Sequence, residues 1–278
     1  MQRIRLELTL CFSLGLFPIL PQTMFAQDFE IIGHRGASRD APENTLASIN
    51  LAWKRNADAV EIDIYLTKDG KIVVVHDATT KRYGGPDVKI ENQTFDELRK
   101  LDVGTWKSPR FRGEKIPTLD EVLQTIPQGK RLFIELKSDR NIVPELKRIL
   151  DSSKKKPNQT VIIGFSLEAV TAAKRQLPNR KVFWIVRVKQ SKRTKEWQPG
   201  LPEMIAEVKK ANLDGLDLGH APIFDRDYIT KVKRAGLGFF VWTVDDAKVA
   251  RKLKQNGVDG ITTNRPGWLK RKIERKSH

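Results

Sequence analysis

Short apolar runs alternate with helical patterns along most of the chain. Eight runs predict β-strands, at Phe29–Gly33, Ala59–Ile64, Leu132–Leu136, Thr160–Phe165, Val182–Val186, Gly215–Leu218, Gly238–Thr243 and Gly260–Thr262. A segment with helical periodicity follows each of them, near Thr45–Lys54, Leu119–Ile126, Val143–Leu150, Leu167–Arg175, Pro202–Ala211, Arg226–Ala235, Ala247–Gln255 and Gly267–Lys276. This alternation predicts parallel strands with helices outside them. Eight such units predict a closed (β/α)8 TIM barrel.

One segment interrupts the alternation, between the second strand and its helix, at about residues 67–118. It begins with an Asp-Gly pair, Asp69-Gly70, between two β-rich runs, a pattern typical of a hairpin. An insertion after a barrel strand lies on the face that holds active sites. We therefore expect this segment to form a small cap over the site.

The N-terminal 26 residues have the pattern of a targeting segment. Arg3 and Arg5 precede an apolar run from Leu8 to Leu20, which is short for a membrane span. Ala26 is a small residue that suits cleavage after it, so we predict a signal peptide at residues 1–26 and a barrel domain at 27–278. The protein would then be secreted or periplasmic, and an uncleaved anchor is the alternative.

The net charge and the cysteine content indicate which partners the protein can bind and which kinds of catalysis are excluded. The chain of 278 residues carries 51 Lys and Arg against 34 Asp and Glu, a net charge of +17. Such a surface attracts polyanions, including anionic membranes and cell-wall polymers. No nucleic-acid-binding motif accompanies it, so we expect no nucleic-acid partner. The single cysteine, Cys11, lies in the predicted signal segment, which excludes cysteine catalysis and cysteine-ligated zinc from the mature chain.

Carboxylates alternate with aliphatic residues on the second predicted strand. Glu61 and Asp63 point to one side of it, and Val60, Ile62 and Ile64 point to the other. The aliphatic side suits contact with helices, so we expect the carboxylates to face the barrel interior. A surface strand with alternating charges is the alternative. Two such groups repel each other and are costly to desolvate. Either a cation lies between them or one of them is protonated.

The third barrel strand adds a carboxylate, Glu135, and a cation, Lys137, on its inner side. Glu61, Asp63 and Glu135 would form an oxygen-rich site, which suits Mg²⁺ or Ca²⁺ better than zinc. An ion pair between Lys137 and one of these carboxylates is the alternative.

The predicted hairpin brings a histidine toward this cluster. If Asp69 and Gly70 form a two-residue turn, Asp63 lies opposite His76 and shares a face with it. The first strand ends in Gly33-His34-Arg35-Gly36. There His34 can exchange protons near neutral pH, and Arg35 can bind phosphate with two hydrogen bonds.

These motifs, taken in order, resemble those of the glycerophosphodiester phosphodiesterase family. The resemblance extends from about Phe29 to Gly267 and rests on His34-Arg35-Gly36, Pro42-Glu43-Asn44-Thr45, Glu61-Ile62-Asp63, Val75-His76-Asp77, Phe111 to Leu119, Ile134-Glu135-Leu136-Lys137, Val241-Trp242-Thr243-Val244 and Asp259 to Asn264. The sequence departs from the family pattern at Ala78 to Gly85 and at Asn264, where an Asp is common. These departures concern the leaving-group side of the site.

The resemblance implies a (β/α)8 fold and cleavage of glycerophosphodiesters to glycerol phosphate and an alcohol. It implies one divalent ion, Mg²⁺ or Ca²⁺, on Glu61, Asp63 and Glu135. It also implies acid–base catalysis by His34 and His76 and phosphate binding by Arg35 and Lys137. A glycerol hydroxyl of the substrate attacks phosphorus in this family, and water then opens the cyclic phosphate.

Trp242, at the end of the seventh barrel strand, either stacks on substrate or packs at the rim. His220, after the sixth strand, either contacts substrate or belongs to a loop. Two rival functions remain at this point. One is a lysophospholipase-D-like phosphodiesterase acting on lipid head groups, and the other is a non-catalytic, polyanion-binding barrel.

Overall fold

Eight parallel strands close into a barrel in the computed structural model, which describes residues 29–274. The barrel strands are β1 (Glu30–His34), β2 (Ala59–Leu66), β4 (Arg131–Leu136), β5 (Thr160–Gly164), β6 (Lys181–Val186), β9 (Gly215–Gly219), β10 (Gly238–Trp242) and β11 (Gly260–Thr263). They pair in this order around the barrel, and β1 pairs with both β2 and β11. The predicted TIM barrel is confirmed. The predicted signal peptide lies outside the described residues.

Eight helices follow the barrel strands and cover the outside. They are α1 (Leu46–Lys54), α3 (Leu119–Thr125), α4 (Val143–Ser152), α5 (Leu167–Gln176), α6 (Leu201–Lys210), α7 (Arg226–Arg234), α8 (Ala247–Asn256) and α9 (Pro266–Glu274). Side-chain caps begin several of them, because Thr45, Ser166 and Asp225 accept hydrogen bonds from the first helical turn. Within residues 29–274, no helix is both long enough and apolar enough to cross a membrane.

The barrel interior is packed and closes the space beneath the C-terminal ends of the strands. Phe133, Phe183 and Phe240 meet there edge to face, with ring centroids 5.2 and 5.1 Å apart. Aliphatic residues of β1, β2, β5 and β6 complete this layer. Polar side chains that point inward above the layer therefore share a dead-ended space.

The segment between β2 and α3 forms the predicted cap. It contains β3 (Ile72–Val74), which pairs antiparallel with β2, and the short helix α2 (Phe95–Arg99). Its own small core consists of Val73, Val75, Ile90, Leu98, Val103 and Ile116. A further short hairpin, β7 (Lys189–Gln190) with β8 (Trp197–Gln198), follows β6.

The hairpin register differs from the predicted one by one residue. Ile64 pairs with Val74, and the backbone N–H of Val75 donates to the carbonyl of Asp63. The prediction that His76 lies opposite Asp63 was therefore wrong. The turn has three residues rather than two, with Gly70 left-handed at φ +74°. His76 follows the end of β3 and reaches the site from there.

Truncation of Ile62 tests the packing between the barrel and its helices. Ile62 is fully buried on the outer face of β2. We expect Ile62→Ala to lower the free energy of unfolding by about 2–5 kcal/mol, because the lost contacts leave a cavity. Urea denaturation followed by circular dichroism measures this change. Val88→Ala, at an exposed position of the cap, should change it by less than about 0.5 kcal/mol.

Candidate active site

A cavity of about 130 Å³ opens at the C-terminal ends of the barrel strands. Seven of the eight site residues predicted from the sequence line it, namely His34, Arg35, Glu61, His76, Glu135, Lys137 and Trp242. The eighth, Asp63, is 1% exposed and lies within ion-pair distance of Arg35 and Lys137. The structure therefore brings the predicted residues together at one place. Their roles in catalysis and binding stay predictions.

Three buried carboxylates crowd one wall of this cavity. One oxygen from each of Glu61, Asp63 and Glu135 lies within 4.8 Å of the others. Asp63 and Glu135 are direct neighbours across β2 and β4. Burial, reinforced by the charges of Asp63 and Glu135, raises the pKa of Glu61 well above its usual range. Burial and the charge of Asp63 raise the pKa of Glu135 to about 7. The cluster is therefore short of positive charge.

Two cations contact the cluster. Arg35 Nε lies 3.1 Å from Asp63 Oδ2. Lys137 Nζ lies 2.9 Å from Glu135 Oε1 and 3.5 Å from Asp63 Oδ1. The ion pair that was the alternative reading of Lys137 is thus present. This ion pair leaves two carboxylate oxygens of the cluster without a hydrogen bond. Glu61 Oε1 and Asp63 Oδ1 have no hydrogen-bond partner among residues 29–274.

The loop between β1 and α1 holds Arg35 and Asp63 in position. Arg35 is left-handed, at φ +54°, and its backbone N–H donates to Glu61 Oε2 at 2.9 Å. Its guanidinium donates to Glu43 Oε1 at 2.9 Å. Asn44, also left-handed at φ +58°, donates from Nδ2 to Asp63 Oδ2 at 2.8 Å. Two non-glycine residues in this region carry backbone strain, which the surrounding hydrogen bonds offset.

His34 has a defined orientation and tautomer. Its Nδ1 lies 2.7 Å from Asn264 Oδ1. The amide of Asn264 donates from Nδ2 to Asp245 Oδ2 at 2.7 Å, which leaves Oδ1 as the acceptor for His34. The proton of neutral His34 is therefore on Nδ1, and Nε2 has a free lone pair 4.0 Å from Glu61 Oε2. Burial, with help from the charge of Arg35, lowers the pKa of His34 below its usual value.

His76 is held from the cap side of the cavity. Its Nδ1 lies 2.8 Å from Asp77 Oδ1, and the other oxygen of Asp77 accepts from Arg82 Nε at 2.8 Å. Arg82 also donates to Glu43 at 2.6 Å. This chain of ion pairs links His76 to the residue that orients Arg35. Arg82 belongs to the segment from Ala78 to Gly85, which departs from the family pattern. This segment thus helps to orient His76 through Asp77.

Trp242 forms part of the rim. Its ring meets Phe165 edge to face at 5.6 Å, and the guanidinium of Arg187 lies 4.7 Å from its centroid. It packs on the inner core as well as lining the cavity, which fits the rim position. Stacking of Trp242 on substrate stays a prediction. His220 lines a neighbouring cavity and not the one that holds the carboxylates.

Several residues of this site were not predicted from the sequence. Glu43 and Asn44 belong to a quoted motif, but their contacts depend on the left-handed loop. Asn264 meets His34 across 230 positions of sequence. Asp217 also lines the cavity, and the sequence could have predicted its inward orientation. Leu216 and Leu218 point to the opposite face of its strand, toward the helices.

The site lies at the C-terminal face of a TIM barrel, where the active sites of such enzymes lie. It combines two histidines, two cations and a carboxylate cluster, which is typical of an enzyme with an anionic substrate. Residues 34–268 match the model of the glycerophosphoryl diester phosphodiesterase family. The chain therefore belongs to this family, as its motifs predicted, and its relatives are phosphodiesterases that act on glycerophosphodiesters.

Individual relatives are similar over nearly their whole length. The chain is 32% identical over 246 residues to the glycerophosphodiester phosphodiesterase of Caldanaerobacter subterraneus subsp. tengcongensis, covering 86% of this chain and 95% of the relative. An Oleispira antarctica phosphodiesterase, solved with the product sn-glycerol-3-phosphate, is 29% identical with a TM-score of 0.78, over 88% of this chain and 97% of that one. The Thermotoga maritima enzyme is 26% identical with a TM-score of 0.68, over 87% and 97%.

The titration of His34 tests the electrostatics of the site. The lowered pKa means that His34 loses its proton at a lower pH than a free histidine, so it is neutral at pH 7. We expect NMR of the metal-free protein to give His34 a pKa below about 6.5, the ordinary value. His34→Gln identifies the resonance. A pKa above that value would contradict the burial and the Arg35 contact described here.

Proposed function

We propose that this chain hydrolyses glycerophosphodiesters to glycerol phosphate and an alcohol with the help of one divalent cation. Glu61, Asp63 and Glu135 would hold the cation, and His34 and His76 would transfer the protons. The observation that carries the proposal is the position of three buried carboxylates within 4.8 Å of one another, beside both histidines.

The carboxylate cluster fits a hard cation. Its donors are all oxygens, which suits Mg²⁺ or Ca²⁺. Two of these oxygens, Glu61 Oε1 and Asp63 Oδ1, are buried without a hydrogen-bond partner in the described part of the chain. A bound cation would neutralise charge on the phosphodiester oxygens and so ease nucleophilic attack.

Arg35 and Lys137 would orient the phosphate. Each extends from a buried carboxylate contact toward the cavity, so neither is free to swing away. Glu43 holds the guanidinium of Arg35 from the side. Fixed cations of this kind stabilise the charge that develops on phosphoryl oxygens without reorganising during the reaction.

The two histidines differ in their surroundings, and this difference supports a separate role for each. His34 is neutral near pH 7 and has a free lone pair on Nε2, so it would accept the proton of the attacking glycerol hydroxyl. The hydroxyl oxygen forms a bond to phosphorus as the bond to the alcohol breaks. His76 would donate a proton to the departing alcohol oxygen. The resulting cyclic phosphate is then opened by water, with the two roles reversed.

We also propose that the enzyme acts outside the cytoplasm, as a secreted or periplasmic protein. The support is the signal-peptide pattern of residues 1–26 and the net charge of +17. A basic surface would concentrate the enzyme near anionic membranes or cell-wall polymers, where phosphodiesters are abundant.

Chelation combined with a substrate panel tests the cation and the substrate class together. Glycerophosphocholine and glycerophosphoethanolamine should be hydrolysed in Mg²⁺ or Ca²⁺, and EDTA should abolish this turnover. Glu61→Gln should abolish it too, while Glu168→Gln, a change at an exposed glutamate on α5, should leave it unchanged.

Turnover that survives EDTA would contradict the proposed cation site. Faster hydrolysis of lysophospholipids would favour the lipid head-group reading, and binding without hydrolysis would favour the polyanion-binding one.

Replacement of each histidine tests the proton transfers. We expect His34→Ala and His76→Ala each to lower kcat by about 10²–10⁴-fold, the usual contribution of a positioned acid or base. Steady-state kinetics on glycerophosphocholine measures the loss. His220→Ala removes a histidine outside the carboxylate cavity and serves as the control, with an unchanged kcat. Full activity in either of the first two variants would rule out its role.

A further inference from the structure

Asp217 is a buried carboxyl on the inner wall of the barrel. It lies on β9, the strand opposite β2 in the eight-stranded order, and is 2% exposed. Its direct neighbours across the sheet are Ile185 and Phe240. Asp217 lines the catalytic cavity together with Ile163, Ile185 and Thr262. It is thus the one carboxyl among these mostly apolar wall residues, across the barrel from the carboxylate cluster.

The carboxyl of Asp217 has an incomplete set of hydrogen bonds. Oδ1 is buried without a partner among residues 29–274. Burial, with a smaller effect of Glu135, raises the pKa of Asp217 to about 8. A buried polar group without a partner destabilises the fold. Such a group persists in an enzyme where its partner is a ligand rather than the protein.

A neighbouring, partly buried carboxylate shows what a structural role looks like in this barrel. Asp214, three residues earlier, accepts hydrogen bonds from Lys174, Lys181 and the backbone of Val182 at 2.7–2.9 Å. Asp217 has no ion pair in the described chain and does not belong to the group of carboxylates around Glu61. Neither a structural nor a cation-binding role therefore accounts for it.

The shape of the cavity indicates which part of a substrate would reach Asp217. The cavity of about 130 Å³ ends below at the aromatic layer of Phe133, Phe183 and Phe240. It has room for a phosphate and a three-carbon polyol. A cavity of this size cannot also enclose a second arm such as choline. The leaving alcohol would therefore extend out of the barrel, and the glycerol arm would lie within it.

We propose that Asp217 binds the glycerol hydroxyl that does not attack phosphorus. Asp217 would then select substrates whose retained arm is a three-carbon polyol with both hydroxyls free. A neutral carboxyl suits this contact, because it accepts through one oxygen and donates through the other. The methylene groups of glycerol would contact Ile163 and Ile185. This inference rests on the proposed function and adds the residue that recognises the retained glycerol arm.

A pair of substrates that differ in one hydroxyl tests the inference. Glycerophosphocholine has both glycerol hydroxyls, whereas 2-hydroxypropyl phosphocholine keeps the attacking hydroxyl and has a methyl group in place of the terminal hydroxymethyl group. We expect the wild-type kcat/KM to favour the glycerol compound by about 10-fold or more, because a missing hydroxyl leaves the buried carboxyl unpaired. Asp217→Leu should abolish this preference. Asp217→Asn, which still accepts and donates, should retain it.

Stability provides a readout that separates substrate binding from a structural role. Asp217→Leu should raise Tm, because it removes an unsatisfied buried polar group. Asp217→Asn keeps such a group and should leave Tm nearly unchanged. Asp214→Asn should lower Tm through loss of its ion pairs and leave the substrate preference unchanged. Asp217→Ala, which cannot clash, replaces the leucine variant if that one fails to fold. A preference that survives in Asp217→Leu or Asp217→Ala would overturn the inference.

Binding of the products extends the test to conditions without turnover. Calorimetry with sn-glycerol-3-phosphate and with 2-hydroxypropyl phosphate compares the same single hydroxyl. The wild-type protein should bind the first at least about 10-fold more tightly, and Asp217→Leu should bind both equally. Equal binding by the wild type would overturn the role of Asp217. Absence of hydrolysis together with this binding difference would instead contradict only the proposed reaction.

Discussion

The site depends on one constraint, the electrostatic repulsion among Glu61, Asp63 and Glu135. The other charged residues of the site compensate this repulsion. Adjacent parallel strands bring Asp63 and Glu135 side by side, and strand alternation adds Glu61 on the same face. In a buried setting such charges raise one another's pKa and destabilise the fold unless cations compensate them. Arg35 and Lys137 compensate part of the charge. Within residues 29–274, Glu61 Oε1 and Asp63 Oδ1 keep no hydrogen-bond partner, which fits the divalent cation proposed above.

Part of the compensation of the carboxylate charges comes from the strained loop between β1 and α1 and not from the barrel strands. Arg35 and Asn44 both adopt left-handed backbone conformations, and through them the β1–α1 loop contacts Glu61 and Asp63. Glu43 connects Arg35 with Arg82 of the cap, and Arg82 in turn contacts the support of His76. One continuous set of ion pairs therefore links His76 at the cap to Arg35 and Asp63 of the barrel. His34 is oriented separately, by its contact with Asn264.

The barrel could be predicted from the sequence because its signal is periodic and local. Apolar runs and helical patterns mark all eight strands, and alternation within β2 and β4 points the carboxylates inward. The hairpin register could not be predicted, because the hydroxyl of Thr67 bonds to Asp69 and Lys71 and stabilises a longer turn. The contact of Asn264 with His34 and the place of Asp217 in the same cavity depend on barrel closure, which brings distant strands together. No pattern within a single segment contains that information.

The cation affinity of the carboxylate cluster tests this account most directly. Calorimetric titration of the chelator-treated protein with Mg²⁺ and with Ca²⁺ should show one cation bound per chain. Binding at pH 7 should release protons, because Glu61 and Glu135 have raised pKa values in the absence of the cation. Glu135→Gln should weaken binding strongly. Full affinity in that variant, or no binding by the wild-type chain, would contradict the account.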